Sequence, residues 1–147
     1  MAKMKTFTLA EAQRLLPVLK SLLKRAMDSK QIIEQIEKEL QDLNHRILLS
    51  GGLFVDIPKV ARRRAERDKA VQAAKDAMAE VEAIGVQIKD LDMGLLDFPC
   101  VVDDQIVLLC WKYGEAKIEF WHGLEEGFRG RKPIDERIIG KKKEKPN

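Results

Sequence analysis

The chain has 147 residues, of which 35% are charged and only 5% are aromatic. This length suits one domain with its own core, and this composition favours long solvated helices over an all-β core. The longest apolar runs fall far short of the roughly 18 residues that a membrane span needs, and the first residues lack the apolar stretch of a secretory signal. We therefore expect a cytoplasmic protein that does not enter a membrane.

The charges and the cysteines argue against a domain covered by a basic field and against a domain stabilised by disulfides or by a zinc motif. The formal net charge is +3, which the last seven residues, KKKEKPN, supply by themselves. Residues 1–140 are thus close to neutral, and no basic field covers the domain. The two cysteines, Cys100 and Cys110, form neither a disulfide framework nor a zinc-binding spacing.

The first half of the chain carries helical signals. Thr8 and Glu11 have the spacing of a capping box, which predicts a helix that begins near residue 9. Pro17 predicts that this first helix is short, about 9–15, and is followed by a kink or break and then by a long helix to about residue 49. The apolar positions follow heptad spacing and are Leu15, Leu19, Leu22, Ala26, Ile33, Ile36, Leu40, Leu43 and Ile47.

A second helix is predicted from Pro58, with Asp56 as a possible N-cap. Its heptad positions are Val71, Ala74, Met78, Val81, Gly85 and Ile88. Two such helices joined by a short loop predict an antiparallel, coiled-coil-like hairpin over residues 9–91, about 50 Å long.

The next segment predicts a three-stranded antiparallel β-meander over residues 97–122. Asp103-Asp104 and Gly114-Glu115 are taken as its two-residue turns. This register places one nearly apolar face against the helices, made of Phe98, Cys100, Val107, Leu109, Trp111, Ile118, Phe120 and His122. Trp121 then lies on the opposite face, and a slip of one residue would exchange the two faces.

The fold prediction is therefore α+β, with one domain over residues 1–140. It comprises the hairpin, the meander and a closing segment over 123–140, and a flexible basic tail follows at 141–147. The central strand is apolar on both faces, so its second face should be covered as well. Either the closing segment, through Phe128 and Ile134, or a second subunit could cover it.

Two stretches of the sequence resemble a known family. They are "TLAEAQRLLP" near the start and residues 97–134, with Leu109-Cys110-Trp111, Gly114-Glu115, Trp121-His122 and "GFRGRKPI" as motifs. Together they resemble the bacterial family known as domain of unknown function 2203. The resemblance implies no activity, cofactor or substrate.

His122 is the histidine with the most reactive neighbours. With Glu125 and Glu126 it forms a His-x-x-Glu-Glu run that could contribute to a metal site, with further ligands from residues such as Asp97 or Glu115. The alternative is a histidine at the sheet edge that donates to a backbone carbonyl, and we favour it, so neither metal nor cofactor is predicted. No nucleophile motif accompanies His122, and a non-catalytic protein is predicted.

The C-terminal motif also suggests a ligand-binding surface. An aromatic ring beside a guanidinium can hold a planar or anionic ligand, and Trp121 and Arg131 are the strongest candidates. The full candidate set is Glu115, Trp121, His122, Glu126 and Arg131. The alternative for each residue is a role in a turn or in the core.

Near the predicted hairpin tip, Arg62, Arg63, Arg64 and Arg67 could bind nucleic-acid phosphates. The alternative is a solvated face whose arginines pair with Glu34, Glu37 or Glu39. The apolar tip, Leu53 to Ile57, predicts a protein contact, which could be with a second copy.

Overall, the sequence favours a non-catalytic interaction or assembly module, a homo-oligomer whose hairpins pair into a four-helix bundle. The alternatives are a small-ligand or metal-binding protein that uses the C-terminal motif, and a weak nucleic-acid binder that uses the arginine-rich arm.

Overall fold

The computed structural model describes residues 5–51 and 55–143 and has an α+β fold. Its elements in chain order are α1 (Leu9–Leu49), α2 (Ile57–Ile84), β1 (Gln87–Asp90), β2 (Leu95–Val102), β3 (Gln105–Lys112), β4 (Phe120–Gly123), a 3-10 turn (Phe128–Gly130), β5 (Lys132–Pro133) and α3 (Glu136–Lys143). None of the helices in this described part is long and apolar enough to cross a membrane.

Helix α1 begins with the predicted capping box. The Thr8 hydroxyl accepts from the Glu11 amide, and the Glu11 carboxylate accepts from the Thr8 amide. The helix is continuous from Leu9 to Leu49, so the predicted separate helix over about 9–15 is wrong and Pro17 does not break α1. Pro17 lies on the exposed side, where water can bond the carbonyl that the missing N–H leaves free, while the helix packs through its opposite side.

Helix α2 has the predicted Asp56 cap, whose carboxylate accepts from the Lys59 amide. It ends at Ile84 rather than near residue 91, because Gly85 adopts the left-handed conformation (φ +106°) that closes a helix. The buried residues of α2 are Ala70, Ala74, Ala77 and Val81, so the prediction is confirmed at Ala74 and Val81, whereas Ala70 and Ala77 are buried in place of Val71 and Met78.

The sheet has five antiparallel strands in the order β1-β2-β3-β4-β5, where three were predicted. The two additional strands are the outer ones. β1 pairs with the first residues of β2, and β5 pairs with Phe120 and Trp121 of β4. Both are short. β1 was missed because Ile88 continues the helical 3-4 spacing of α2, and β5 was missed because it has only two residues.

The first β-hairpin has the predicted register. Asp97 lies opposite Cys110 and Phe98 opposite Leu109, and Asp103 and Asp104 form the turn with φ of +52° and +62°. Positive φ at both central residues is the geometry of a tight hairpin turn that matches strand twist.

The second β-hairpin does not have the predicted register. The predicted turn at Gly114-Glu115 is replaced by a longer connection over residues 113–119, and Leu109 lies opposite Trp121. This is a slip of one residue from the prediction, so the faces of β4 are exchanged. Trp121 joins the face that packs on the helices, and His122 lies on the opposite face.

The main core lies between that sheet face and the ends of α1 and α2 that are near the sheet. Its helical part includes Leu16, Leu19, Leu23 and Val81, and its sheet part includes Leu96, Phe98, Leu109, Trp111 and Trp121. Ile134 packs against this core, and Ile138 of α3 is part of it. Helix α3 extends to Lys143 and so includes residues 141–143 of the predicted basic tail, and 144–147 lie outside the described residues.

Candidate functional site

Three side chains with metal-binding or proton-transfer chemistry meet on the sheet face that is turned away from the helices. Asp97 on β2 lies opposite Cys110 on β3, and His122 on β4 lies opposite Leu108, two residues from Cys110. One potential ligand atom from each of the three lies within 4.8 Å of the others. Asp97 is 1%, Cys110 1% and His122 3% exposed, so the cluster is closed to any substrate larger than a proton or a small ion.

The His122 ring is held from both sides. Its Nδ1 lies 2.8 Å from the carbonyl oxygen of Gly123, and its Nε2 lies 3.1 Å from each carboxylate oxygen of Asp97. A carbonyl oxygen can only accept, so Nδ1 carries a hydrogen and donates it. Either a proton or a cation must therefore lie between Nε2 and the carboxylate, because two lone pairs would otherwise face each other in a buried site.

The Cys110 thiol is the third member. Burial, followed by the nearby Asp97 carboxylate, raises the pKa of Cys110 to about 12, although the Arg131 charge acts in the opposite direction. In the absence of a cation Cys110 is thus a thiol at neutral pH, and it is no activated nucleophile.

Arg131 closes one side of this face. Its Nη2 lies 2.7 and 2.9 Å from the two carboxylate oxygens of Glu115, and its guanidinium carbon lies 4.1 Å from the ring centroid of Phe120 and 4.7 Å from that of Phe128. Glu115 also accepts from the Lys112 amide at 2.7 Å. Arg131 and Glu115, both predicted as ligand-binding residues, therefore form an ion pair with each other. This pair anchors the connection over residues 113–119 to the sheet.

Glu126 anchors the segment that follows β4. Its carboxylate accepts from the Gly123 amide at 2.8 Å and forms an ion pair with Lys132. The hydrogen bond from Lys132, followed by that from Gly123, lowers the pKa of Glu126. Glu126 is exposed, and its hydrogen bonds are with Gly123 and Lys132 rather than with the cluster that contains Asp97.

Trp121 lies on the core face, 8% exposed, rather than on the opposite face as predicted. The ammonium of Lys132 and the guanidinium of Arg137 lie 4.7 and 5.3 Å from its ring centroid. Within the described part of the chain its indole nitrogen has no hydrogen-bond partner. The ring is therefore covered by this chain's own cations.

The arginine-rich arm is partly neutralised within the chain. Arg63 donates to Glu39 at 2.6 and 2.9 Å and to Glu66 at 3.0 Å, and Arg67 pairs with Asp68 at 3.3 Å. Arg62 and Arg64 are exposed on the helix surface. The predicted pairing with Glu39 is confirmed for Arg63. Residues 53 and 54 of the predicted apolar tip lie outside the described residues, and Ile57 is 73% exposed.

Sequence reasoning identified His122 but did not bring it together with Cys110, and it named Asp97 only as one possible further ligand. One signal was present, since Asp97 is an acidic residue between Leu96 and Phe98 in a strand whose neighbours on both faces are apolar. A carboxylate at such a position needs a partner, because burying an unpaired charge is very unfavourable.

The fold and the site together define an α+β protein in which a helical hairpin carries a five-stranded sheet with a buried Asp-Cys-His cluster. The chain belongs to the family described as uncharacterized conserved protein (DUF2203), whose model matches residues 5–134 and confirms the resemblance drawn from the sequence. Comparisons with curated proteins and with solved structures gave no match.

Proposed function

We propose that this protein is a non-catalytic, cytoplasmic assembly module that forms a homodimer through the distal arm of its helical hairpin. The distal arm comprises residues 37–49 of α1 and 57–69 of α2. No residue in either range is buried, whereas both helices bury residues where they approach the sheet. The absence of buried residues in the distal arm is the observation that carries the proposal.

Two helices alone cannot enclose the apolar residues of the arm. Leu40, Leu43 and Ile47 are only half-buried. Leu48, Leu49 and Ile57 are 72%, 75% and 73% exposed. Pairing two such arms into a coiled-coil-like four-helix bundle would remove these side chains from water, which stabilises association by about 25 cal/mol for each Å² of apolar surface.

The charges of the arm favour a second copy as the partner. Within the arm, residues 37–49 of α1 contain three acidic and two basic residues, whereas residues 57–69 of α2 contain six basic and two acidic ones. An arm in which one helix has a net negative charge and the other a net positive charge is complementary to its own copy when α1 of one chain lies beside α2 of the other. Arg62 and Arg64, which are exposed in the single chain, would then lie near acidic side chains of the partner copy.

The test is the mass of the full chain in solution, measured by sedimentation equilibrium over a wide range of concentrations. We expect a dimer for the unmodified protein and a monomer for the double variant Leu48→Lys/Ile57→Lys, because both positions are exposed in the single chain and their substitution leaves its core intact. Val18→Lys is the matched control, since Val18 is also exposed (53%) but lies outside the distal arm. An unmodified protein that stays monomeric at all concentrations contradicts the proposal, and so does a double variant that stays dimeric.

A further inference from the structure

We propose that Asp97, Cys110 and His122 form a binding site for one divalent transition-metal ion, with zinc as the ion that fits the three ligands best. The site lies on the sheet, away from the distal arm, so this proposal is independent of the assembly function. Its first support is geometric, because three different ligand types from three adjacent strands converge within 4.8 Å at a place that water barely reaches.

The orientation of His122 gives the second support. Histidines that bind metals through one ring nitrogen generally donate the hydrogen on the other nitrogen to a carbonyl or carboxylate, which fixes the tautomer and the ring plane. His122 already has that arrangement, since Nδ1 donates to the Gly123 carbonyl at 2.8 Å. Its Nε2 therefore points its lone pair toward the Asp97 carboxylate, where a shared metal ion would lie.

The Asp97 carboxylate gives the third support. An ionised carboxylate can accept about four hydrogen bonds. Within the described part of the chain, the donors near this buried carboxylate are His122 Nε2 and the Cys110 thiol. A carboxylate this deeply buried is thus poorly supplied with donors, and a coordinated cation would satisfy it better than one shared proton does.

The charges balance when a divalent ion binds. The thiolate and the carboxylate contribute two negative charges, the imidazole is neutral, and a divalent ion makes the site neutral. Metal binding displaces two protons, one from the Cys110 thiol and one that His122 and Asp97 share. The protonated site is neutral as well, so the chain can fold with or without the ion.

The ligand types select the ion. A thiolate and an imidazole suit zinc and related transition metals, whereas magnesium and calcium prefer oxygen ligands alone. Zinc bonds to sulfur, nitrogen and oxygen are about 2.0–2.3 Å long, which in a tetrahedron separates the ligand atoms by about 3.3–3.8 Å. The Nε2-to-carboxylate distance of 3.1 Å needs to open by only a few tenths of an ångström. A fourth position remains for water or another small ligand.

The experiment uses the full chain, stripped with a chelator and then titrated with Co²⁺ and Zn²⁺. We expect about one equivalent of Co²⁺ to bind with a thiolate-to-cobalt charge-transfer band, and Zn²⁺ to displace it. Cys110→Ser should abolish the band, and Asp97→Asn should weaken Zn²⁺ binding by at least about tenfold. Cys100→Ser is the matched control, because Cys100 is also buried (4%) but lies on the opposite face of β2, and it should retain both the band and the affinity.

The Co²⁺ titration of the unmodified protein tests the proposed metal site even if a variant fails to fold, which circular dichroism would reveal. Binding of less than about a tenth of an equivalent, or Co²⁺ binding without the thiolate band, would show that the cluster holds a proton alone and overturn the proposal. A band that persists in folded Cys110→Ser protein would assign the ion to another site, with the same consequence.

Discussion

Nε2 of His122 lies 3.1 Å from both carboxylate oxygens of Asp97, and the two side chains are among the least exposed polar groups of the described residues. Their separation in sequence is 25 residues, so the pair ties β2 to β4 across the intervening strand β3. Because Nδ1 donates to the Gly123 carbonyl, the neutral ring has its hydrogen on Nδ1 and a lone pair on Nε2. A residue that replaces Asp97 must therefore offer a hydrogen-bond donor to Nε2.

Asp97→Leu and Asp97→Asn should therefore have different effects on stability in the presence of a chelator. Leucine leaves Nε2 buried without a partner, which should lower the free energy of unfolding by about 3 kcal/mol. Asparagine can donate an amide hydrogen to the Nε2 lone pair and should cost about 1 kcal/mol. Urea unfolding followed by circular dichroism measures both, and equal losses for the two variants would contradict the assigned tautomer.

The Cys110 thiol should be unreactive in the folded protein. Burial raises the pKa of Cys110 from 9.0 to about 12, so almost no thiolate is present at about pH 8. In the metal-free Cys100→Ser background, a thiol reagent should modify Cys110 only as fast as the protein unfolds, whereas the unfolded chain should react at once. Modification at similar rates with and without denaturant would show that the thiol is accessible.

The raised pKa of Cys110 also makes the free energy of unfolding depend on pH. In the metal-free protein above pH 9.0, the unfolded chain loses the Cys110 proton while the folded chain retains it, up to about pH 12. The folded state then binds more protons than the unfolded state, so the free energy of unfolding should fall as pH rises through this range. Cys110→Ala, which cannot titrate there, should lose less stability over the same interval.

Gly94 and Gly114 provide a test of steric fit at the end of the β2-β3 pair. Both have positive φ, +72° and +103°, so alanine is strained at either position. A Cβ at Gly94 would lie 2.6 Å from Cβ of Tyr113, whereas a Cβ at Gly114 would meet nothing within 4 Å. Thermal unfolding should show a loss of about 1 kcal/mol for Gly114→Ala and of at least about twice that for Gly94→Ala. Equal losses would mean that backbone strain alone matters.

The parts of the fold that the sequence predicted correctly depend on local chemistry. The capping box of Thr8 and Glu11 and the Asp56 cap need only neighbouring residues, and the hairpin at Asp103-Asp104 needs only a tight turn between two apolar runs. The β1 strand was missed for a local reason, because Ile88 continues the 3-4 spacing of α2 although it pairs with Leu96 in a short β-hairpin.

The candidate site was missed because it depends on the β3-β4 register, which is set by side-chain contacts within the connection and by one contact from α1. The Glu115 carboxylate accepts from the Lys112 amide, and its carbonyl oxygen accepts from the Trp111 indole at 3.0 Å. Gln13 of α1 holds Ile118. These contacts lengthen the connection to seven residues, 113–119, and shift β4 by one position relative to a two-residue turn. The alternation of apolar residues does not contain that information, yet this one-residue shift decides whether His122 meets Asp97.

Gln13 should therefore control the order of that connection. Its side-chain amide donates to the Ile118 carbonyl at 3.2 Å and its oxygen accepts from the Ile118 amide at 3.1 Å, so it pairs with this residue as a neighbouring strand would. Gln13→Ala removes both bonds and should speed native-state hydrogen exchange of the Ile118 amide by about tenfold, equivalent to about 1.4 kcal/mol.

Gln13→Glu separates the two contacts within this pair. The glutamate keeps the acceptor for the Ile118 amide but loses the donor to the Ile118 carbonyl, so its effect on exchange should be smaller than that of alanine. Arg14→Ala is the control, because Arg14 is the next residue of α1 and is exposed. Exchange at Ile118 that is unchanged in Gln13→Ala would show that the β3-β4 connection is held by Glu115 and Arg131 alone, and that α1 takes no part in setting the register that places His122.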